Sequence, residues 1–161
     1  MDRGIATAAE IYDGGFVVEA ATRRAFDVEV DASTLAAVEL RFAALRARIS
    51  TYFDVTLTAA EGAGFLRYEA GGFYLRHVDR LEEDQQPFRR RVSIVLFLSG
   101  SGATAASGEC SGGTLRLYRH RAMPLDVPPA IGTLVAFPAD TPHEVLPVTA
   151  GVRDVVVDWF Y

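Results

Sequence analysis

Residues 64–79 read GFLRYEAGGFYLRHVD. Two runs rich in Phe, Leu and Tyr, Phe65 to Glu69 and Phe73 to Val78, flank the pair Gly71-Gly72, as two short strands joined by a turn would. The same texture continues as Val92 to Leu98, Thr114 to Tyr118, Leu125 to Val127, Thr133 to Phe137, Glu144 to Val148 and Val152 to Tyr161, with Gly, Pro, Ser and Asp between the runs. Short strands at this spacing predict a mainly β fold, a double-sheet jelly roll over residues 64–161. The Ser/Gly/Ala-rich stretch from Gly100 to Gly113 is expected to be a loop of about a dozen residues inside that unit.

Upstream, residues 1–63 read as a mixed, partly helical support region. Gly14-Gly15 marks a turn, and Phe16 to Val18 and Phe26 to Val30 are short candidate strands. Asp31 and Ser33 offer side-chain acceptors for a helix N-cap. Leu35, Val38, Phe42, Leu45 and Ile49 then recur at steps of three and four, which predicts an amphipathic helix of about four turns. Arg41, Arg46 and Arg48 fall off this stripe, so the helix should cover one sheet and show its other side to water.

With 161 residues, a single domain spanning 1–161 is the expected organisation. Sixteen basic and 21 acidic side chains leave a net charge of -5, which argues against a nucleic-acid partner. The basic run Arg89-Arg90-Arg91 is short and follows Glu82-Glu83-Asp84, as a solvated loop would. One cysteine, Cys110, precludes an internal disulfide, and no apolar run reaches membrane-spanning length. A cytoplasmic setting without membrane association is the expectation. Cys110 lies in the Gly/Ser stretch with no neighbouring Cys or His and reads as a spectator.

Three histidines are present, His77, His120 and His143. His77 and Asp79 stand two apart at a strand end, where alternation sends both side chains to one face. An imidazole beside a carboxylate is two-thirds of a metal site. A second imidazole would complete a facial triad, which leaves open positions on an octahedral metal. His143, at the head of another strand, is the candidate; His120 reads as a surface histidine. Ten residues beyond His143, Arg153 shares strand parity with Val155, Val157 and Trp159, although Trp159 and Phe160 read most simply as core. An arginine aimed into an apolar interior needs an anion, and a ligand carboxylate would serve.

The ordered set Arg67-Tyr68, Gly72 to Asp79, Ser111-Gly112-Gly113-Thr114-Leu115-Arg116-Leu117, Pro142-His143-Glu144-Val145 and Arg153 to Phe160 resembles the prolyl 4-hydroxylase branch of the iron(II)/2-oxoglutarate oxygenases. It looks closest to hypoxia-factor type prolyl hydroxylases and their bacterial relatives. The resemblance implies a double-stranded β-helix with the N-terminal helix or helices packed on one sheet. It implies Fe(II) held by His77, Asp79 and His143, with Arg153 pairing the distal carboxylate of 2-oxoglutarate. Tyr68 matches a tyrosine that lines the oxoglutarate pocket, or is a core tyrosine. Ser93 falls where relatives often carry threonine and, parity permitting, adds a hydroxyl to that pocket. A tyrosine that helps bind the distal carboxylate in the oxygen-sensing enzymes corresponds to Leu96, which cannot donate, so the affinity for oxoglutarate is left open.

The implied reaction is a dioxygenase one. O2 and oxoglutarate give succinate, CO2 and a hydroxylated C–H, with ascorbate as a reductant. Asp79 points to hydroxylation, because related halogenases leave the carboxylate position empty. Residues Arg80 to Arg91 match a loop that folds over substrate, and Arg90 and Tyr74 are the expected substrate contacts. A prolyl residue in a peptide or protein is the leading substrate, with a free amino acid or other small molecule as the alternative. A cupin-type metal enzyme without oxoglutarate and a non-catalytic binding domain are the rival readings.

Overall fold

The computed structural model describes residues 21–80, 89–102 and 109–161, together with the backbone of three short strands before them. Those are β1 (Ala6–Ala8), β2 (Ile11–Tyr12) and β3 (Phe16–Val17), followed by β4 (Arg23–Arg24) and β5 (Phe26–Val28). The helix α1 (Ala32–Phe53) comes next. Then follow β6 (Gly64–Tyr68), β7 (Phe73–His77), β8 (Val92–Phe97), β9 (Gly100–Ser101), β10 (Glu109–Gly112), β11 (Leu115–Leu117) and β12 (Leu125–Val127). The chain ends with β13 (Leu134–Pro138), β14 (His143–Val145), β15 (Val148–Gly151) and β16 (Arg153–Phe160).

Helix α1 starts where expected. The Asp31 carboxylate accepts from the Thr34 backbone N–H at 2.9 Å and from the Ser33 hydroxyl, satisfying donors that the first helical turn leaves open. It runs for 22 residues, longer than the four turns read from its stripe. Phe53 continues the spacing past Ile49 and packs on the same cluster. The helix stops at Asp54, whose φ of 52° places it in the left-handed region while its N–H reaches back to Ser50 and Thr51. Arg41 and Arg48 face water, as their positions off the stripe require.

Two sheets form the body. The larger has the order β1-β5-β6-β16-β8-β13, and the smaller β12-β11-β14-β7-β4; β15-β10-β9 forms a third, small sheet. Strands that precede residue 64 thus extend both main sheets, β5 pairing with β6 and β4 with β7. The turn expected at Gly14-Gly15 lies outside the described residues. Within 100–113, where a loop was expected, β9 and β10 pair in parallel, and residues 103–108 lie outside the described ones. Cys110 accordingly lies on a strand and not in a loop. It is 1% exposed on β10, part of the core between the sheets.

β16 is buried on both faces because it divides two cores. Val155 belongs to the cluster between the sheets with Tyr68, Phe97 and Leu115, and Val157 packs against that cluster. Val156 and Phe160 face the other way, onto Phe42 and Ile49 of α1. Phe42 anchors the helix on the sheet at 2% exposure, and Phe42→Ala would cost about 3–5 kcal/mol. Among the described residues no helix is long and apolar enough to cross a membrane.

Candidate metal centre

β7 and β14 are neighbours in the smaller sheet, and His77 lies opposite His143 in their register. The register then shifts, with Val145 opposite Tyr74, so β7 spends three steps where β14 spends two. That is a β-bulge at Leu75 and Arg76. It turns Tyr74 onto the face of His77, and their rings stack with centroids 3.5 Å apart at 17°. Phe137 packs edge-on against the His143 ring at 4.7 Å.

Each histidine is oriented by its own strand. His77 Nδ1 lies 2.8 Å from the Leu75 carbonyl and His143 Nδ1 2.8 Å from the Thr141 carbonyl. A carbonyl only accepts, so both Nδ1 atoms carry the proton and both Nε2 lone pairs are free to ligate. Burial pushes the His143 pKa down, favouring the neutral imidazole that a metal requires.

Asp79 lies just past the end of β7, where its N–H and that of Arg80 both donate to the Ala139 carbonyl. Its Oδ1 is 3.6 Å from His77 Nε2 and its Oδ2 3.6 Å from His143 Nε2. Burial works against its charge, but in the metal-free protein the imidazoles of His77 and His143, when protonated, and the Ser93 hydroxyl outweigh it and hold the carboxyl below the usual carboxylate range. The ligand atoms of His77, Asp79 and His143 all lie within 4.8 Å of one another. Two imidazoles and one carboxylate on one face suit a divalent iron ion with open positions.

Arg153 begins β16 opposite Tyr68. It is 1% exposed, with its guanidinium carbon 4.9 Å from the Tyr68 ring centre and 5.2 Å from that of Phe97. Nε and Nη1 have no hydrogen-bond partner. Burial pulls its pKa down, which measures how poorly this pocket solvates a lone cation. An anionic ligand group would answer that cost. Gly113 shapes the same pocket. Its φ is +66°, and a Cβ there would lie 2.7 Å from Arg153 Cδ.

The β16–β8 register sets Val155 against Phe97, Val157 against Val95 and Trp159 against Ser93. Ser93, Val95 and Phe97 therefore share Arg153's face. Leu96 does not: it lies opposite Val156 and packs on the helix-side core. The residue beside Arg153 is Phe97, so the assignment of Leu96 to the oxoglutarate pocket is off by one position. In a strand, one position reverses the face. Ser93 has the right parity, but its hydroxyl donates to Asp79 Oδ2 at 2.6 Å and not toward Arg153.

Arg90, expected to meet substrate, lies over the Trp159 ring at 3.8 Å and makes a two-pronged pair with Glu61, with Nε to Oε2 at 2.6 Å. Tyr161 donates to the same carboxylate at 2.7 Å. Trp159, read as core, is instead the floor beneath Arg90. Of the expected loop from Arg80 to Arg91, residues 81–88 lie outside the described ones; Arg80 pairs with Asp140. His120 is exposed in a turn, as read. Gly113, Phe97 and Glu61 were missed as shapers of the site. The Gly112-Gly113 pair was the one sequence signal for the first of them.

Residues 63–161 match the family model described as the 2OG-Fe(II) oxygenase superfamily. A PKHD-type hydroxylase of Synechococcus sp. (strain JA-2-3B'a(2-13)) is 36% identical over 94 residues, which are 57% of this chain and 39% of that protein. One from Burkholderia ambifaria (strain MC40-6) is 36% identical over 98 residues, 59% of this chain and 40% of its own. The chain thus spans less than half the length of these relatives. The crystal structure of a Pseudomonas putida prolyl-4-hydroxylase superposes with a TM-score of 0.72 at 30% identity, covering 88% of this chain and 73% of that one. A Trichoplax adhaerens prolyl hydroxylase, solved with a hypoxia inducible factor peptide fragment, shares the fold at a TM-score of 0.77 and 20% identity, covering 99% and 72%. With the triad, the buried arginine and most strands of both sheets inside the matched segment, this chain belongs to the 2OG-Fe(II) oxygenase superfamily.

Proposed function

We propose that this protein is an Fe(II)- and 2-oxoglutarate-dependent hydroxylase acting on a prolyl residue of a peptide or protein. The observation that carries the reading is the pairing of two features at the core between the sheets, where Phe137 packs on His143 and Phe97 on Arg153. Three ligand atoms lie within 4.8 Å of one another, and a buried arginine in the same interior has two unpartnered nitrogens. A cupin-type metal site without oxoglutarate has no use for that arginine.

His77, Asp79 and His143 hold the metal. When bound, iron would activate O2, with oxoglutarate giving up two electrons, so that one oxygen atom goes to the C–H as hydroxyl and the other to succinate, with CO2 released. The rest falls to the chain. Arg153 orients oxoglutarate through its distal carboxylate, by a planar fork that suits bidentate pairing. Tyr68, Phe97 and Val155 wall that end and exclude water. The Leu75 and Thr141 carbonyls keep the protons of both histidines on Nδ1, away from the metal. Arg90, braced on Trp159 and Glu61, borders the cavity as a donor for substrate carbonyls, and Tyr74 shields His77.

The test is incubation of the purified protein with Fe(II), oxoglutarate, ascorbate and proline-containing peptides, reading succinate and product mass. Succinate and a gain of one oxygen, both dependent on oxoglutarate, are expected. If iron and oxoglutarate bind but neither peptide nor free amino acid raises succinate above background, the binding-domain reading takes over. Anaerobic addition of oxoglutarate to the Fe(II) protein should raise a visible charge-transfer band. Without that band or saturable binding, oxoglutarate dependence fails.

A further inference from the structure

Asp79 carries two carboxylate oxygens, and a triad ligand needs one. The structure treats them differently. Each oxygen stands 3.6 Å from one imidazole, Oδ1 from His77 Nε2 and Oδ2 from His143 Nε2, but Oδ2 alone receives the Ser93 hydroxyl, at 2.6 Å, a short charge-assisted hydrogen bond. Asp79 comes from the end of β7 in the smaller sheet. Ser93 comes from β8, inside the larger sheet between β16 and β13. It is 2% exposed, with Trp159 opposite it on one side and Phe137 on the other. A hydroxyl so placed has little freedom, so it works as a fixed point from one sheet acting on a flexible carboxylate from the other.

We propose that Ser93 is a positioning residue that holds Asp79 to ligation through a single oxygen and so keeps a coordination position open for reactants. This rests on the proposed iron site. The hydrogen bond that Ser93 donates to Oδ2 draws on that oxygen's lone-pair density and anchors the carboxylate plane, leaving Oδ1 as the better ligand atom. Among the described residues no other side chain hydrogen-bonds Oδ2, so without the hydroxyl the carboxylate is free to swing to two-oxygen binding. Outer partners of metal ligands commonly contribute 10- to 100-fold, as an order of magnitude, to metal affinity or activity.

Co(II) is the probe, read anaerobically by titration calorimetry and by its visible d–d spectrum, neither of which needs turnover. Ser93→Thr and Ser93→Val form the decisive pair, because their shapes match and only Thr keeps the hydroxyl. Circular dichroism is the check that both fold. Ser93→Thr should bind Co(II) like the parent with the same spectrum. Ser93→Val should bind on the order of tenfold differently and show shifted d–d bands, the mark of a changed ligand set. Equal affinity and superimposable spectra in Val and Thr would overturn the proposal. If the parent itself binds no Co(II), it is the underlying metal-site reading that falls. Should Ser93→Val fail to fold, Ser93→Ala against the parent gives the same comparison, with the same two outcomes.

Discussion

His77 and His143 face each other directly across the β7–β14 ladder, with ring centroids 4.1 Å apart and planes at 54°. Strand pairing, not a loop, brings the two imidazoles together, and a hydrogen-bonded ladder is among the stiffer ways to hold two side chains in register. The third ligand arrives on the short extension beyond β7. The site is therefore held mostly by sheet geometry.

Metal and cosubstrate should come apart by mutation. His143→Ala removes a ligand from the stiffest part of the site and is expected to abolish Fe(II) binding in anaerobic titration. Arg153→Ala should keep the metal and raise the oxoglutarate Kd by roughly 10- to 100-fold, the range for losing a charged hydrogen-bond donor of about 1.5–3 kcal/mol. Equal loss of iron in both variants would mean that the two roles are not separate.

The register makes a sharp contrast between neighbours. Leu96→Ala should lower stability by about 1–3 kcal/mol, through lost packing on the helix side, while leaving oxoglutarate affinity unchanged. Phe97→Leu, beside Arg153, should weaken oxoglutarate binding. Chemical denaturation and equilibrium titration on the same two proteins decide it, and an oxoglutarate defect confined to Leu96→Ala would contradict the face assignment.

Gly113→Ala is expected to act on the cosubstrate without touching a ligand. A left-handed φ of +66° strains any side chain, and the new methyl would press on Arg153 Cδ from 2.7 Å. A cost of about 1–2 kcal/mol in folding and a several-fold rise in oxoglutarate Kd should follow, with Fe(II) affinity retained. Fe(II) loss as large as the oxoglutarate loss would point to general disruption instead.

Asp158 gives the chain a pH signature. It is 1% exposed; its Oδ1 accepts from the Gly62 and Trp159 N–H groups, but Oδ2 has no partner. Burial pushes its pKa up, opposed by those two N–H groups and reinforced by the carboxylates of Glu61 and Glu39. A folded pKa above the unfolded value of about 3.9 means that the native state binds the proton more tightly. Its contribution to stability is then present at low pH and lost as pH rises through the folded pKa. Asp158→Asn should raise Tm at neutral pH by a few degrees, as about 1 kcal/mol would, and much less near pH 4. Thermal melts that show the same shift at both pH values would exclude this.

Much of the design was legible in the chain. The helix announced itself through the Leu35 to Ile49 spacing and its Asp31 cap, the strands through their Val, Phe and Tyr runs, and the site through H-x-D, His143 and Arg153. Such patterns are local or strictly periodic, so they survive in one dimension. What failed had a different origin. Leu96 and Phe97 are both apolar, and β8 is buried on both faces, so no alternation in composition marks which residue faces the cavity. Arg90 looked free because its partner Glu61 is 29 residues away.

The sequence by itself determined most of the secondary structure, through residue type and short-range periodicity, and pointed to the class of chemistry through an ordered set of residues that resembles a known family. Only the tertiary structure decided the rest. A bulge in β7 turns Tyr74 onto His77, the β8 register chooses Phe97 over Leu96, and the meeting of two sheets puts the Ser93 hydroxyl on Asp79. Each depends on how strands from distant parts of the chain align, and a shift of one residue in that alignment reverses every side chain it carries.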